Sequence, residues 1–234
     1  MAYAGMKASI TAALAAATLA LAGCLEISQD AAFRENGEVR FESEVALAPE
    51  ITALMSNPIF TKQMGEQGVP DLLGECGKPW PADKPMPAGV RSIESRRGKR
   101  GDMDTCTWTA DVSAPIDAVE SVKAMKPPSR HKLPEQEFSL ARLEGRPGYR
   151  LRIAITPLKL PPTPGDTQNL GKAVLDAMFV NRHITLSLSG QRIENTNGAL
   201  APDGRRVTWR IPIATAIDPT RQTPLTIEAD ILYR

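Results

Sequence analysis

Histidine is scarce in this chain, and no residue pattern for catalysis accompanies the little that is present. Only two histidines occur among 234 residues, His131 and His183. Neither has a second histidine, a cysteine or a carboxylate at metal-ligand spacing, and the motifs G-x-S-x-G and H-E-x-x-H are both missing. Because a serine nucleophile needs a partner base, we expect a non-enzymatic protein with no cofactor and no metal. An unrecognised hydrolase that uses one of the two histidines is the alternative.

The chain also lacks a charge excess and, after its first residues, long apolar runs. It contains 28 basic and 27 acidic side chains, and the single basic residue Lys7 accounts for the difference. Proteins that bind nucleic acid usually carry a basic excess, so no nucleic-acid partner is expected. A membrane-spanning helix needs about 20 apolar residues in succession, and no later stretch approaches that length.

The first residues have the pattern of an export signal. Lys7 is followed by a short apolar stretch over residues 10–22, and the sequence L-A-G-C then ends at Cys24. A positive residue before a short apolar core is typical of a signal peptide. L-A-G-C resembles the bacterial lipobox, which implies cleavage before Cys24 and attachment of lipid to its thiol. We expect residues 1–23 to be a lipoprotein signal peptide and residues 24–234 to be one exported domain.

The expected partner is therefore the bacterial membrane, through covalent lipid on Cys24, because two or more acyl chains give lasting attachment. The next residue is Leu25 rather than Asp. By resemblance to the Gram-negative sorting rule, this favours the periplasmic side of the outer membrane. Leu25 and Ile27 already alternate as in a strand, so the domain is expected to lie close to the bilayer.

Two further cysteines, Cys76 and Cys106, remain as an even pair. Export places them where disulfides persist, and a bridge between them would close a loop of about 30 residues, worth roughly 3–4 kcal/mol. Neither lies in a C-x-x-C motif. We expect a disulfide, with two free thiols for metal or redox chemistry as the alternative.

Alternation of apolar and polar residues predicts most of the fold. Asn36-Gly37 separates two alternating segments, which is a strong hairpin signal. Helical spacing is present near residues 49–55, 115–125 and 166–178. The expected fold class is α+β, with an antiparallel sheet of about seven strands and two or three helices packed on one face. The disulfide-closed segment of residues 65–106 is expected to be irregular.

Two features admit both a structural and a functional interpretation. Trp108 and Trp209 each lie mid-strand among alternating apolar residues, where packing in the core is favoured and a ligand-facing wall is the alternative. A basic run occurs at residues 96–100, with Arg or Lys at all positions except Gly98. A solvated loop is favoured for this run, and a site for anionic lipid headgroups is the alternative.

The last third of the chain has a more distinctive pattern. The stretch from His183 to Gly190 leads to Asn197-Gly198 and then to D-G-R-R-V-T-W-R-I at residues 203–211. With the lipobox and the extended segment from Cys24 to Leu47, this resembles the LppM-type family of bacterial lipoproteins, although Ser189 stands where that family often has Pro. The resemblance implies an α+β envelope domain that could enclose an apolar groove, and it implies no catalytic residues.

These observations together predict a lipid-anchored envelope protein that binds a hydrophobic ligand or a lipid near the membrane. A structural or assembly lipoprotein, docked to an envelope protein complex, is the alternative function.

Overall fold

A computed structural model describes residues 25–49, 76–124, 136–156, 182–217 and 223–234. Within these ranges, eleven strands form two sheets and two short helices accompany them. The strands are β1 (Leu25–Phe33), β2 (Val39–Leu47), β3 (Val90–Arg100), β4 (Met103–Val112), β5 (Gln136–Arg142), β6 (Gly148–Ile155), β7 (His183–Ser189), β8 (Arg192–Glu194), β9 (Ala199–Leu200), β10 (Arg206–Pro212) and β11 (Leu225–Leu232). The helices are α1 (Pro115–Ala124) and α2 (Ile213–Ile217).

The larger sheet has seven strands in the order β3-β4-β2-β1-β7-β10-β9, and the smaller sheet has four in the order β5-β6-β11-β8. The first strand, β1, is the central strand of the larger sheet. It pairs with β2 in the antiparallel sense and with β7 in the parallel sense. The chain therefore enters the middle of the sheet rather than its edge.

The expected α+β class is wrong. The described part of the chain is mainly β, in two sheets rather than one, and its two helices do not form a layer on one face. Alternation of apolar and polar residues identifies a strand but not the sheet to which it belongs. The sequence therefore predicted one sheet where the structure has two. The helix expected near residues 115–125 is confirmed as α1, whereas those expected near residues 49–55 and 166–178 lie, apart from Pro49, outside the described residues.

The predicted hairpin at Asn36-Gly37 is confirmed, and the structure contains further turns of the same kind. The Asn36-Gly37 turn joins β1 and β2, and Gly37 has a φ of 81°, a backbone region open to glycine at little cost. A second hairpin pairs β5 with β6, and the Asp203-Gly204 turn precedes β10 with a φ of 67° at Gly204. The Asn-Gly turn signal between two alternating segments was therefore sufficient to predict the pairing of β1 with β2.

The structure corrects the expectation of an irregular segment at residues 90–100. These residues form β3, which pairs with β4 around a two-residue tip at Gly101-Asp102. The basic run thus lies on a strand rather than in a loop. β3 is the terminal strand of the larger sheet as described, with an exposed second half. Its side chains consequently lack the apolar alternation by which a half-buried strand is recognised.

The main hydrophobic core lies between the two sheets. It is formed by buried residues of both sheets and of α2: Leu151, Ile155, Leu188, Ile193, Val207, Trp209, Ile211, Ala216, Ile227, Ala229 and Ile231. The larger sheet contributes through β7 and β10, and the smaller sheet through β6, β8 and β11. This core fixes the two sheets face to face.

An aromatic cluster closes one end of the sheets, next to the Asn36-Gly37 turn. The centroid of the Tyr149 ring lies 5.8 Å from that of the Phe33 ring and 5.3 Å from that of the Tyr233 ring. A Cβ at Gly37 would lie 3.1 Å from the Tyr233 ring, so glycine allows the turn to contact this cluster. Burial raises the pKa of the Tyr149 hydroxyl, and the neighbouring Tyr233 raises it further.

Among the described residues, no helix combines the length and the apolar character that a membrane crossing requires.

Candidate functional site

The larger sheet has one apolar face and one polar face. Because side chains alternate along each strand, the register assigns Ile27, Val45 and Cys106 to one row of the apolar face. Glu26, Ala46 and Thr105 form the neighbouring row of the opposite face. The polar face also carries Glu42, which is exposed, and Glu44, which is half-buried.

Trp209 belongs to the core. It is 8% exposed, and its indole Nε1 donates a hydrogen bond of 2.9 Å to Asn197 Oδ1. The same oxygen accepts from the Glu228 backbone amide at 3.1 Å, while Asn197 Nδ2 donates to the Thr226 carbonyl at 2.8 Å. Asn197 thus links β10 of the larger sheet to β11 of the smaller one.

Gly198 completes this arrangement. A Cβ at this position would lie 2.6 Å from Cε2 of Trp209 and 2.5 Å from Cγ2 of Val207, which is closer than packed carbon atoms approach. The Asn197-Gly198 pair, recognised in the sequence as part of a family-like motif, therefore has a structural role. Val207 and Trp209 lie on one face of the sheet, and both are buried.

One end of the larger sheet, here called the anchor end, is where β1 begins. Leu25 pairs with Leu47, Leu47 with Asp104, and Asp104 with Lys99. These four residues form one row across β1, β2, β4 and β3. Cys24, the predicted lipid attachment site, lies outside the described residues and is covalently joined to Leu25, so the two Cα atoms are about 3.8 Å apart. Lipid on Cys24 would therefore be attached to the domain next to this row.

A second apolar cluster lies on the apolar face at the anchor end. Its buried members are Val45, Leu47, Cys76 and Cys106. The expected disulfide is confirmed: Cys76 and Cys106 are bonded, with Cα atoms 5.8 Å apart. The bridge holds the segment that precedes β3 against this cluster.

Trp108 and Ile27 flank this cluster and are half-buried. Trp108 therefore differs from Trp209: it lies at the margin of a small cluster close to the predicted anchor and retains access to solvent. The two tryptophans are not brought together into one site.

The polar face of the anchor end is crossed by ion pairs. Arg100 contacts the Glu26 carboxylate and lies 3.0 Å from Glu44. Arg182, just before β7, lies 2.9 Å from the same Glu26. Thr107 Oγ1 donates a hydrogen bond of 3.4 Å to the Glu44 carboxylate. These ion pairs connect β3 to β2 and β1 across the intervening β4, and they connect β1 to the residue that precedes β7.

An open concavity of about 460 Å³ lies farther along this polar face. It is lined by Ser28, Gln29, Asp30, Ala32, Arg40, Glu42, Glu44, Thr185, Ser187 and Arg206. Arg206 is paired with Asp30 across the concavity, and Ser187 and Thr208 share a hydrogen bond of 3.2 Å. A cavity with this lining suits a polar or charged group rather than an acyl chain.

A buried carboxylate occurs on the smaller sheet. Asp230 is 1% exposed and receives hydrogen bonds of 2.7 and 2.8 Å from Arg150 and of 2.8 Å from Asn195. The hydrogen bonds from Arg150 lower the pKa of Asp230, burial opposes this, and Asn195 lowers it further. Sequence reasoning missed this network, because Asp230 occupies an outward position of an alternating strand and resembles a solvent-exposed acid.

The histidines are not brought into a catalytic arrangement by the described residues. His183 begins β7 opposite Pro212, and His131 lies outside the described ranges. In the part of the chain that the structure describes, no three His, Cys, Asp or Glu side chains are grouped as metal ligands.

No protein-family model matches the sequence. No curated protein matches it in sequence either. Among solved structures, the chain is similar to the NMR structure of the folded domain of LppM from Mycobacterium tuberculosis. The two share 11% sequence identity with a TM-score of 0.46, over 90% of this chain and 90% of that one. A likeness at this level carries no conclusion about the family or the activity of this chain.

Proposed function

We propose that this chain is a lipoprotein, anchored to a bacterial membrane through Cys24, whose exported domain binds lipid or another hydrophobic molecule at the membrane surface without catalysing a reaction. The observation that carries the proposal is the start of β1 at Leu25, directly after Cys24, as the central strand of the larger sheet. An anchor at this position has no flexible linker. Since Leu25 rather than Asp follows the cysteine, the outer membrane is the proposed location in a Gram-negative cell.

The second apolar cluster is the proposed contact for the hydrophobic molecule. Ile27 is two residues from Leu25 along β1, and Trp108 lies two strands away on the same face. Tryptophan presents a large apolar surface together with one polar group, a combination suited to the boundary between lipid and water. Cluster and anchor thus occupy the same end of the sheet.

The lipid anchor is tested by metabolic labelling with radioactive palmitate, followed by mass spectrometry of the N-terminal peptide. The wild-type chain should incorporate label and carry an acylated cysteine at its new N-terminus. Cys24→Ala should abolish both. The double variant Cys76→Ala/Cys106→Ala is the matched control and should retain the label. An unmodified Cys24 in the wild-type protein would contradict the proposal.

The ligand is tested by extracting lipid from the purified full chain and measuring its amount by mass spectrometry. Trp108→Ala should reduce co-purified lipid severalfold, because it removes the half-buried aromatic side chain of the cluster. The matched control is Leu200→Ala, which removes an exposed apolar side chain on β9, outside the cluster. Equal lipid content in wild type and Trp108→Ala would argue against binding at this cluster.

A second candidate function is docking to an envelope protein complex. The charged concavity on the polar face favours it, since its lining is complementary to polar groups of a protein surface. A photo-crosslinking residue at Glu42, inside the concavity, should capture a reproducible partner in cells. The same photo-crosslinking amino acid in place of Arg192, on the smaller sheet, should not capture this partner. Capture from both positions, or from neither, would remove the support for docking through this face.

A further inference from the structure

The basic run of β3 lies at the anchor end of the larger sheet. Its residues Arg96, Arg97, Lys99 and Arg100 follow one another toward the tip at Gly101-Asp102. Lys99 occupies the same row as Leu25, three strands away. Since neighbouring strands are about 4.8 Å apart, this row is roughly 14 Å long. The sequence separates Lys99 from Cys24 by more than seventy residues, but the fold brings them to one edge.

The anchor also sets the height of this edge above the bilayer. Leu25 is one residue from Cys24, so its Cα lies about 3.8 Å from the residue that would carry the lipid. The polar headgroup region of one leaflet is about 5–8 Å thick. A row that begins so close to the anchor and is only roughly 14 Å long lies within reach of the headgroups, provided that the sheet stands with its anchor end toward the membrane.

The charged side chains at the anchor end differ in how closely they are paired with opposite charges. Glu26 and Glu44 are engaged with Arg100, and Glu26 also with Arg182. Arg96 makes no ion pair with any residue in the described ranges, and its side chain is exposed. Lys99 is only loosely associated with Asp104, at 4.0 Å, and is 72% exposed.

We propose that the β3–β4 tip and the basic run of β3 contact anionic lipid headgroups and hold the domain upright on the membrane by its anchor end. This inference rests on the proposed lipid anchor at Cys24. Exposed basic side chains near an anionic surface are each worth about a fivefold gain in binding. Together with the covalent lipid they provide a second attachment, about 14 Å from the first by strand spacing, and two attachments prevent the domain from rotating about one.

The experiment measures the distance of the tip from the bilayer in the lipidated full chain. A fluorophore is attached at Asp102→Cys, and the protein is reconstituted into vesicles that contain a lipid with a nitroxide on its headgroup. One set of vesicles is phosphatidylcholine alone, and the other also contains phosphatidylglycerol. We expect at least about twofold stronger quenching with phosphatidylglycerol, given a fivefold gain for each basic side chain. This difference should disappear near 1 M salt, where the Debye length is about 3 Å.

The double variant Arg96→Glu/Lys99→Glu should lose the phosphatidylglycerol-dependent quenching. Its matched control is Arg142→Glu/Arg205→Glu, which reverses two exposed arginines at the opposite end of the sheets, near Tyr149 and before β10. The control should keep the difference between the vesicles. The salt dependence of the wild-type chain needs no variant, so the test remains decisive even if the double variant folds poorly.

Flotation with vesicles separates the two proposals. Protein that floats with both vesicle types but shows equal quenching in them retains its lipid anchor and overturns the inference about the tip. An equal loss of quenching in the control variant overturns it as well. Protein that floats with neither vesicle type, and whose Cys24 is unmodified by mass, overturns the proposed anchor together with the inference built on it.

Discussion

The buried carboxylate of Asp230 leads to a prediction about stability that can be tested by one substitution. Arg150 donates two hydrogen bonds to it, at 2.7 and 2.8 Å, while its own side chain is 62% exposed. We choose Arg150→Met because methionine keeps an aliphatic chain over the carboxylate but removes every donor. Asp230 is then left buried with Asn195 as its remaining side-chain donor among the described residues.

Removing a hydrogen-bond donor from a buried acceptor costs about 1–3 kcal/mol, because the acceptor remains desolvated without compensation. We therefore expect Arg150→Met to lower the free energy of unfolding at neutral pH by about 2 kcal/mol, less than for a fully buried pair because Arg150 itself is 62% exposed. The matched control is Arg152→Met on the same strand. Arg152 lies 3.2 Å from Glu228, and both side chains are largely exposed, so this change should cost less than about 1 kcal/mol.

The difference between wild type and Arg150→Met should depend on pH. In the wild type the pKa of Asp230 is lowered, so its contribution to stability is present above the ordinary value of about 3.9 and is lost as the pH falls through the lowered folded value. In the variant, burial without Arg150 raises that pKa, and protonation in the folded state relieves the uncompensated charge. The destabilisation should therefore shrink between pH 7 and about pH 3.

The assay is urea unfolding followed by tryptophan fluorescence, with the disulfide intact, at a series of pH values. A cost below about 1 kcal/mol at pH 7, like that of an exposed pair, would refute the reasoning. So would a cost that stays the same at low pH, because it would show that the charge of Asp230 is not what the substitution affects.

Further predictions concern the link between the sheets and the disulfide. Asn197→Ala leaves the Trp209 indole and a β11 backbone amide without their acceptor, and urea unfolding should show a loss of about 2–4 kcal/mol. Gly198→Ala forces a Cβ to within 2.6 Å of Trp209, and its melting temperature should fall by an amount that corresponds to about 1–3 kcal/mol; an unchanged value would contradict the packing described. The double variant Cys76→Ala/Cys106→Ala opens a loop of 30 residues and should lose about 3–4 kcal/mol, whereas a reductant should destabilise only the wild type.

The local features of the fold could be predicted from the sequence because their causes are local. Asn36-Gly37 adopts its turn through backbone preferences of the two residues themselves. The pairing of Cys76 with Cys106 followed from the number of cysteines and the predicted export signal. The pairing of β1 with β7 could not be predicted in this way, because it joins residues such as Ile27 and Ile184 that no turn connects.

The candidate site was only partly predictable for the same reason. Arg96 and Lys99 were recognised as a basic run, but their position beside the predicted anchor depends on the register of four strands. Asn197 was noticed within a motif, although nothing in the sequence indicated that its side chain joins two sheets. Asp230 carried no signal, since burial of an outward-facing acid depends on Arg150, which is eighty positions away.

The parallel pair of β1 and β7 also determines the order in which the sheet can be completed. The hairpin of β1 and β2 can form from the first residues of the domain, but the other edge of β1 has no described partner until residues 183–189 arrive. Contacts between such distant segments form slowly, because a long loop must close before they are made. During this interval β1, which begins next to the proposed attachment site Cys24, has an open edge that can pair with another chain. Pairing with β7 therefore covers the open edge of β1 only after the C-terminal third has been synthesised, and a chain truncated before β7 would leave that edge open.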